Sequence, residues 1–411
     1  MNRFAERLAR GINHVTASGL GPYQTAVIRI GFSATWLLFL LRELPNRREL
    51  YGPDGPWNWD MAQQLIASNH AFTALMWSDG RLWFEVVYAL AMVSSALLLL
   101  GWHTRAMSVL FMIGVLSLQN RSIFMGDGGD NVIHLMAIYL VFTRCGQVWS
   151  LDARRAARAR ANRRAQGDDP VGIVLWWVLG LALSVVTFMG ELSGGWLLLF
   201  WGLWVAHGLW WAVGRRESLG KARLLLDVIA SLAHNAALLV IMVEACLIYA
   251  TAGWYKIQGS RWQDGTAVYY PLHLDYFSPW PALSDLLTDH GVMVMLVTYG
   301  TVAVQVAFPF TLINRRVKNV LLAAMMCEHA VIAVVLGLPF FSLAMIAADA
   351  VFLPTSFLRR VGGWAARARG RVLARGGAGL PGQRRTEGHA EQADEGRARE
   401  SAEETRVGFT P

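Results

Sequence analysis

Lys256 stands in the stretch AGWYKIQGSRWQDGTAVYY, behind a long apolar run and ahead of a segment rich in Gly, Trp and Asp. A lysine held in an apolar pocket can serve as a neutral amine base. A lysine at the end of a spanning helix can equally be an anchor that reaches for the headgroups. Other ionisable residues fall where charge is costly. Glu328 and His329 lie midway along one apolar block and Asp349 midway along the next; Glu244 and His234 precede Lys256, and Arg29 lies in the first block. Inside a bilayer each is a functional candidate by default, or else a hydrogen-bonded structural partner; for Arg29 the alternative is an excursion to the headgroups. Neighbours on a helix point about 100° apart, so Glu328 and His329 cannot share a face, and one of them is expected to look inward. The segment GDGGDN supplies Asp127, Asp130 and Asn131. It lacks the full calcium-loop pattern, so capping of the next helix by Asp130 or Asn131 is the expectation. His134, one turn on, can face the same outer pocket. The three cysteines, Cys145, Cys246 and Cys327, form no CxxC pair, and no metal site is expected.

The elements that must position these groups are spanning helices. The chain of 411 residues is 55% hydrophobic and only 16% charged, against about a quarter charged in soluble domains. The apolar residues come in blocks of about 20, the length that crosses about 30 Å of hydrocarbon. In lipid such blocks must be helical; a barrel would show short alternating segments. The fold class expected is all-α, a polytopic bundle of about ten helices at 24–41, 82–101, 106–120, 132–149, 171–190, 195–213, 224–253, 290–313, 319–338 and 339–357, with a tight turn at Leu338-Pro339.

Arginines set the orientation. Arg3, Arg7 and Arg10, the run from Arg154 to Arg164, Arg215, Arg216, Lys221 and Arg223, then Arg315, Arg316 and Lys318, and finally Arg359 and Arg360 fall in alternate gaps. By the positive-inside rule these gaps and both termini are cytoplasmic. The net charge of +8 is thereby absorbed by topology, and nucleic acid is not an expected partner. The opposite loops, 51–60 and 254–280, are rich in Trp and Tyr, as an interfacial belt or as a lid over a cavity. Residues 1–23 read as a cytoplasmic N-terminus, 24–358 as the membrane domain with an extra Trp-rich hairpin at 171–214, and 359–411 as a disordered cytoplasmic tail.

The stretch IYATAGWYKIQGSRWQDGTAVYY resembles the HTTM (horizontally transferred transmembrane) domain, the membrane domain shared with vitamin K-dependent gamma-carboxylases. VIRIGFSATWL at 27–37 looks like that family's first helix with its Arg. Residues 129–152, from Gly-Asp-Asn to Trp149-Ser150-Leu151-Asp152, look like its fourth helix, and 328–353 like its final helix pair with a leading His. The family's Asn-His-Ser segment reads Asn120-Arg121-Ser122 here. The resemblance implies quinone-linked lyase chemistry: a lysine matched by Lys256 deprotonates a reduced lipid quinone of the menaquinone or vitamin K type. Oxygenation to the epoxide then yields a base strong enough to abstract a proton from a substrate glutamate. On this reading Lys256 and His329 are catalytic, and Trp254, Trp262 and His134 line the cofactor pocket. The implied setting is a multi-pass protein of the inner (plasma) membrane, in contact with lipid and acting on a peptide or protein substrate. The alternatives are a non-catalytic membrane protein of peptide maturation or immunity, and a transporter.

Overall fold

The computed structural model describes residues 2–161, 169–192 and 194–377; within them all regular structure is helical. The chain divides into the unit Met1–Thr355 and the unit Ser356–Pro411. The principal helices are α1 (Asn2–Ala17), α2 (Pro22–Glu43), α3 (Arg81–Leu100), α4 (Thr104–Arg121), α5 (Gly128–Val141), α6 (Leu151–Ala161), α7 (Pro170–Phe188), α8 (Gly194–Gly214), α9 (Gly220–Gln258), α10 (Gly291–Ala307), α11 (Arg315–Val335), α12 (Pro339–Asp349) and α13 (Thr355–Gly377). Seven helices among the described residues are long and apolar enough to cross a membrane, and an eighth crossing results if Pro339–Phe352 and Thr355–Arg371 form one broken span. The chain is therefore an all-α, polytopic integral membrane protein.

The core lies where α2, α3, α4, α5 and α12 meet, around Phe32, Trp36, Phe111, Met112, Met136 and Met345. These helices bury polar residues too: Ser33, Ser95, Ser108 and Ser117 are all sequestered, and each hydroxyl has a partner. Ser33, Ser95 and Ser108 bond backbone carbonyls on their own helices, and Ser117 accepts from the Ala74 N–H. By contrast, α7 and α8 present apolar residues outward, such as Leu181, Phe188 and Leu198, as lipid-facing helices do.

Several expected boundaries shift. The stretch 132–149 is helical only to Val141. Beyond it the chain turns irregularly across the α3–α4 corner, where Gly101 adopts φ 71° with no room for a Cβ beside Ser150. The stretch 224–253 grows into the 39-residue helix α9, and 339–357 breaks after Asp349. The turn at Leu338-Pro339 is present, with Gly337 at φ 66° before Pro339 opens α12. In the second unit, residues 359–377 are helical rather than disordered; their Ala and Arg are strong helix formers. Residues 378–411, and with them the rest of the expected tail, lie outside the described residues, as do Arg163 and Arg164 of the basic run.

Arg29 does not reach for headgroups. It is fully buried, and its guanidinium donates to the carbonyls of Leu98 and Leu99 at the end of α3, of Cys145, and of Trp149 at 2.8 Å. A cation over the C-terminal carbonyls of a helix also meets the negative end of its dipole. Asp152 completes the corner by accepting from the His103 and Thr104 N–H groups at 2.9 and 2.7 Å, the first turn of α4. The Arg of the first helix and the Trp-Ser-Leu-Asp segment are thus one structural joint.

Candidate functional site

Tyr249, Gly253 and Lys256 lie four and three residues apart on α9, one face of the helix. A Cβ on Gly253 would sit 2.6 Å from Val306 Cγ2, so glycine lets α10 approach closely. That approach delivers Gln305. The Lys256 ammonium donates to Gln305 Oε1 at 2.9 Å, and the Gln305 amide donates to Glu328 Oε1 of α11 at 2.7 Å. Trp262 closes the other side, its ring centre 5.2 Å from Lys256 Nζ, a cation–π distance.

Glu328 and His329 diverge as helical geometry requires. Glu328 is half-buried and turned to Gln305; His329 is 2% exposed and faces the interior. The Tyr249 hydroxyl donates to Asp349 Oδ2 at 3.0 Å and lies 3.1 Å from His329 Nε2. One hydroxyl proton cannot serve both, so Nε2 carries the hydrogen and donates to the tyrosine oxygen. Nδ1 is then an acceptor. His329 Nδ1 and Asp349 Oδ1 are both buried with no hydrogen-bond partner among the described residues. The rim of Phe341 meets His329 at 5.5 Å. Two linked groups therefore stand side by side: a half-buried Lys256–Gln305–Glu328 chain, and a deeply buried His329–Tyr249–Asp349 chain.

The expected residues are distributed as follows. Lys256, Trp262 and His329 come to this region. Trp254 does not: it is 61% exposed on the opposite face of α9. His134 belongs to another group, with Nδ1 3.0 Å from Gln119 Oε1, and Gln119 in turn donates to the Asp130 carbonyl. The GDGGDN segment does cap a helix, but through Asp127. Its carboxylate accepts from Gly129 and Asp130 N–H while Asp130 at N3 accepts from Asp127 N–H, a capping box. Asp127 takes the role because its backbone is extended, whereas Asp130 is already helical. Among the described residues no cluster of His, Cys, Asp or Glu could hold a metal.

His234 is structural. Its Nδ1 accepts from the Arg144 N–H, which leaves Nε2–H to donate to the Leu20 carbonyl at 2.8 Å. The aromatic loops divide between the two expected roles. Trp57 packs as a cover, donating to the Arg121 carbonyl and meeting Phe124 edge-on, while Tyr255, Tyr276 and Trp280 are exposed like an interfacial belt. Arg121 is buried and donates to the Gly52 carbonyl. Tyr249 and Gln305 were not expected. The seven-residue spacing of Tyr249 from Lys256 across a glycine was the available signal; nothing in the sequence marks Gln305.

No family model matches the chain, and no solved structure matches it. A stretch of 63 residues is 33% identical to Heavy metal tolerance protein of Schizosaccharomyces pombe. That stretch covers 15% of this chain and 8% of the yeast protein, and so spans only a small part of it.

Proposed function

We propose that this chain is an inner-membrane HTTM-type enzyme in which Lys256 is the base of a quinone-linked, carboxylase-like reaction. The observation that carries the reading is the setting of Lys256. It is a half-buried amine in the last turn of α9, over the Trp262 ring, with a neutral amide for its hydrogen-bond partner. Gln305 Oε1 accepts equally from an ammonium and from a neutral amine, so Lys256 keeps its position on either side of a proton transfer. The Glu328 carboxylate, one hydrogen bond further, steadies the ammonium without pairing with it directly.

The donor set fits a reduced lipid quinone. Lys256 Nζ and Trp262 would hold its ring end. When bound, such a quinone supplies oxygen-dependent generation of a strong base for abstraction at a peptide or protein glutamate. Lys256 takes a hydroxyl proton onto Nζ; the O–H bond breaks, the N–H bond forms, and the charge is held by Gln305 and Glu328. Leu247, Leu296 and Val331 on α9, α10 and α11 are exposed, so a lipid-soluble quinone would reach these helices from the bilayer. In this reading α4, α5 and α12 bring the crossings to about ten, with both termini cytoplasmic; they are short or polar because the bundle, not lipid, surrounds them.

The test is oxidation of reduced menaquinone or vitamin K by purified protein in nanodiscs, with the epoxide followed. Wild type forms it, and Lys256→Ala loses about 100-fold or more while remaining folded. Equal turnover by the variant would exclude the base role. A transporter is the second reading, favoured by the buried His329–Tyr249–Asp349 chain, since linked ionisable groups within a membrane also serve as proton relays. It requires proton-coupled uptake in proteoliposomes that Asp349→Asn abolishes and Lys256→Ala does not.

A further inference from the structure

A cavity of about 2050 Å³ in the unit Met1–Thr355 is remote from the Lys256 region and lies between the α3–α4 pair and the α7–α8 hairpin. Its volume is roughly twice the upper range of small-molecule sites. The hairpin is zipped to itself: Trp176 and Trp204 stack at 4.1 Å, and each indole N–H donates to the other's carbonyl. It is pinned to the bundle at two ends. At one, Phe72 packs on Trp196 and Phe200. At the other, Asp169 accepts from Arg155 and lies 3.6 Å from His103. Between the pins the walls stand apart.

The cavity is chemically polarised along its length. Toward Phe72 it is hydrocarbon-like, lined by Trp83, Leu90, Leu110, Leu183 and Phe200. Among the described residues, seven arginines and two aspartates line its α4 N-terminal end. Both aspartates are already engaged, Asp152 by the first turn of α4 and by Arg155, and Asp169 by Arg155. Arg105 stands at that end with its guanidinium 4.0 Å from the Trp210 ring centre. Among the described residues it has no hydrogen bond or ion pair. Five N–H donors thus face the cavity, while Arg144 and Arg223 share Asp227 nearby.

We infer that this cleft holds one anionic phospholipid, its phosphate on Arg105 and the neighbouring arginines and its acyl chains along the apolar wall toward Phe72. The charge decides the occupant. A bulk zwitterionic lipid has no use for Arg105, Arg158 and Arg160, which make no ion pair among the described residues, whereas planar guanidinium groups suit phosphate oxygens. The single polar end and long apolar remainder match one headgroup with its chains. The site takes a lipid as a structural ligand between hairpin and bundle, independently of the reaction at Lys256.

Full-length protein, extracted in detergent and exchanged into a second detergent, is examined by native mass spectrometry and by thermal unfolding. The additives are phosphatidylglycerol, phosphatidylcholine or inorganic phosphate. One phosphatidylglycerol is expected to stay bound, and it alone raises the unfolding midpoint. Arg105→Gln weakens it about tenfold, and Ala182→Trp, which fills the apolar part, also displaces it. Arg160→Gln, on the exposed helix α6, is the second variant if Arg105→Gln fails to fold, and is expected to weaken binding by a smaller factor. Equal retention of phosphatidylcholine, stabilisation by inorganic phosphate alone, or undiminished binding in folded variants would each overturn the inference.

Discussion

At the scale of single residues, the buried Tyr249 hydroxyl sets the geometry of two others. Tyr249→Phe strips Asp349 Oδ2 of its donor and His329 Nε2 of its acceptor, and is expected to cost about 2 kcal/mol in unfolding experiments. The variant should still carry Lys256 in place. A stability no different from wild type would mean that the three groups are not linked. The ionisable candidates were legible one by one, because charge in an apolar block is conspicuous. Their partners were not, since Gln305 and Tyr249 look like ordinary residues until α10 and α12 are in place.

At the scale of elements, the contact of α9 with α10 depends on Gly253. Gly253→Val forces Val306 aside and moves Gln305 from Lys256. We expect a fall in any Lys256-dependent turnover of about tenfold or more, with a smaller loss of thermal stability. Turnover unchanged in Gly253→Val would show that the amide does not position the amine. The helices that face lipid, α7 to α11, were readable from hydropathy alone. Helix ends were harder: α5 stops at Val141 because the Arg29 joint claims the residues that follow, a long-range effect with no local signature. The cap was expected at Asp130 or Asn131, three or four residues past Asp127, because both aspartates of the box take part.

At the scale of the whole molecule, the membrane character follows from composition, and topology is the measurable quantity. Reporter fusions after Arg160, Arg216 and Arg316 should report the cytoplasm, and one within 264–289 the opposite side. Two fusions of the basic set reporting opposite sides would break the alternation. Replacing Arg29 by Leu leaves four buried carbonyls short of a donor and should cost about 3 kcal/mol or more, whatever the fate of the reaction.

The Arg29 joint also bears on how the protein is made. Its last acceptor, the Trp149 carbonyl, is 120 residues downstream. A ribosome adding about 5–20 residues per second reaches it roughly 6–24 s after Arg29 has been polymerised. Until then the nascent helix carries a cation without its full set of carbonyls, since those of Leu98 and Leu99 arrive first, 69 and 70 residues downstream. It must wait at the membrane edge or beside the insertion machinery, and it enters the bilayer for good only when the fourth segment arrives to receive it.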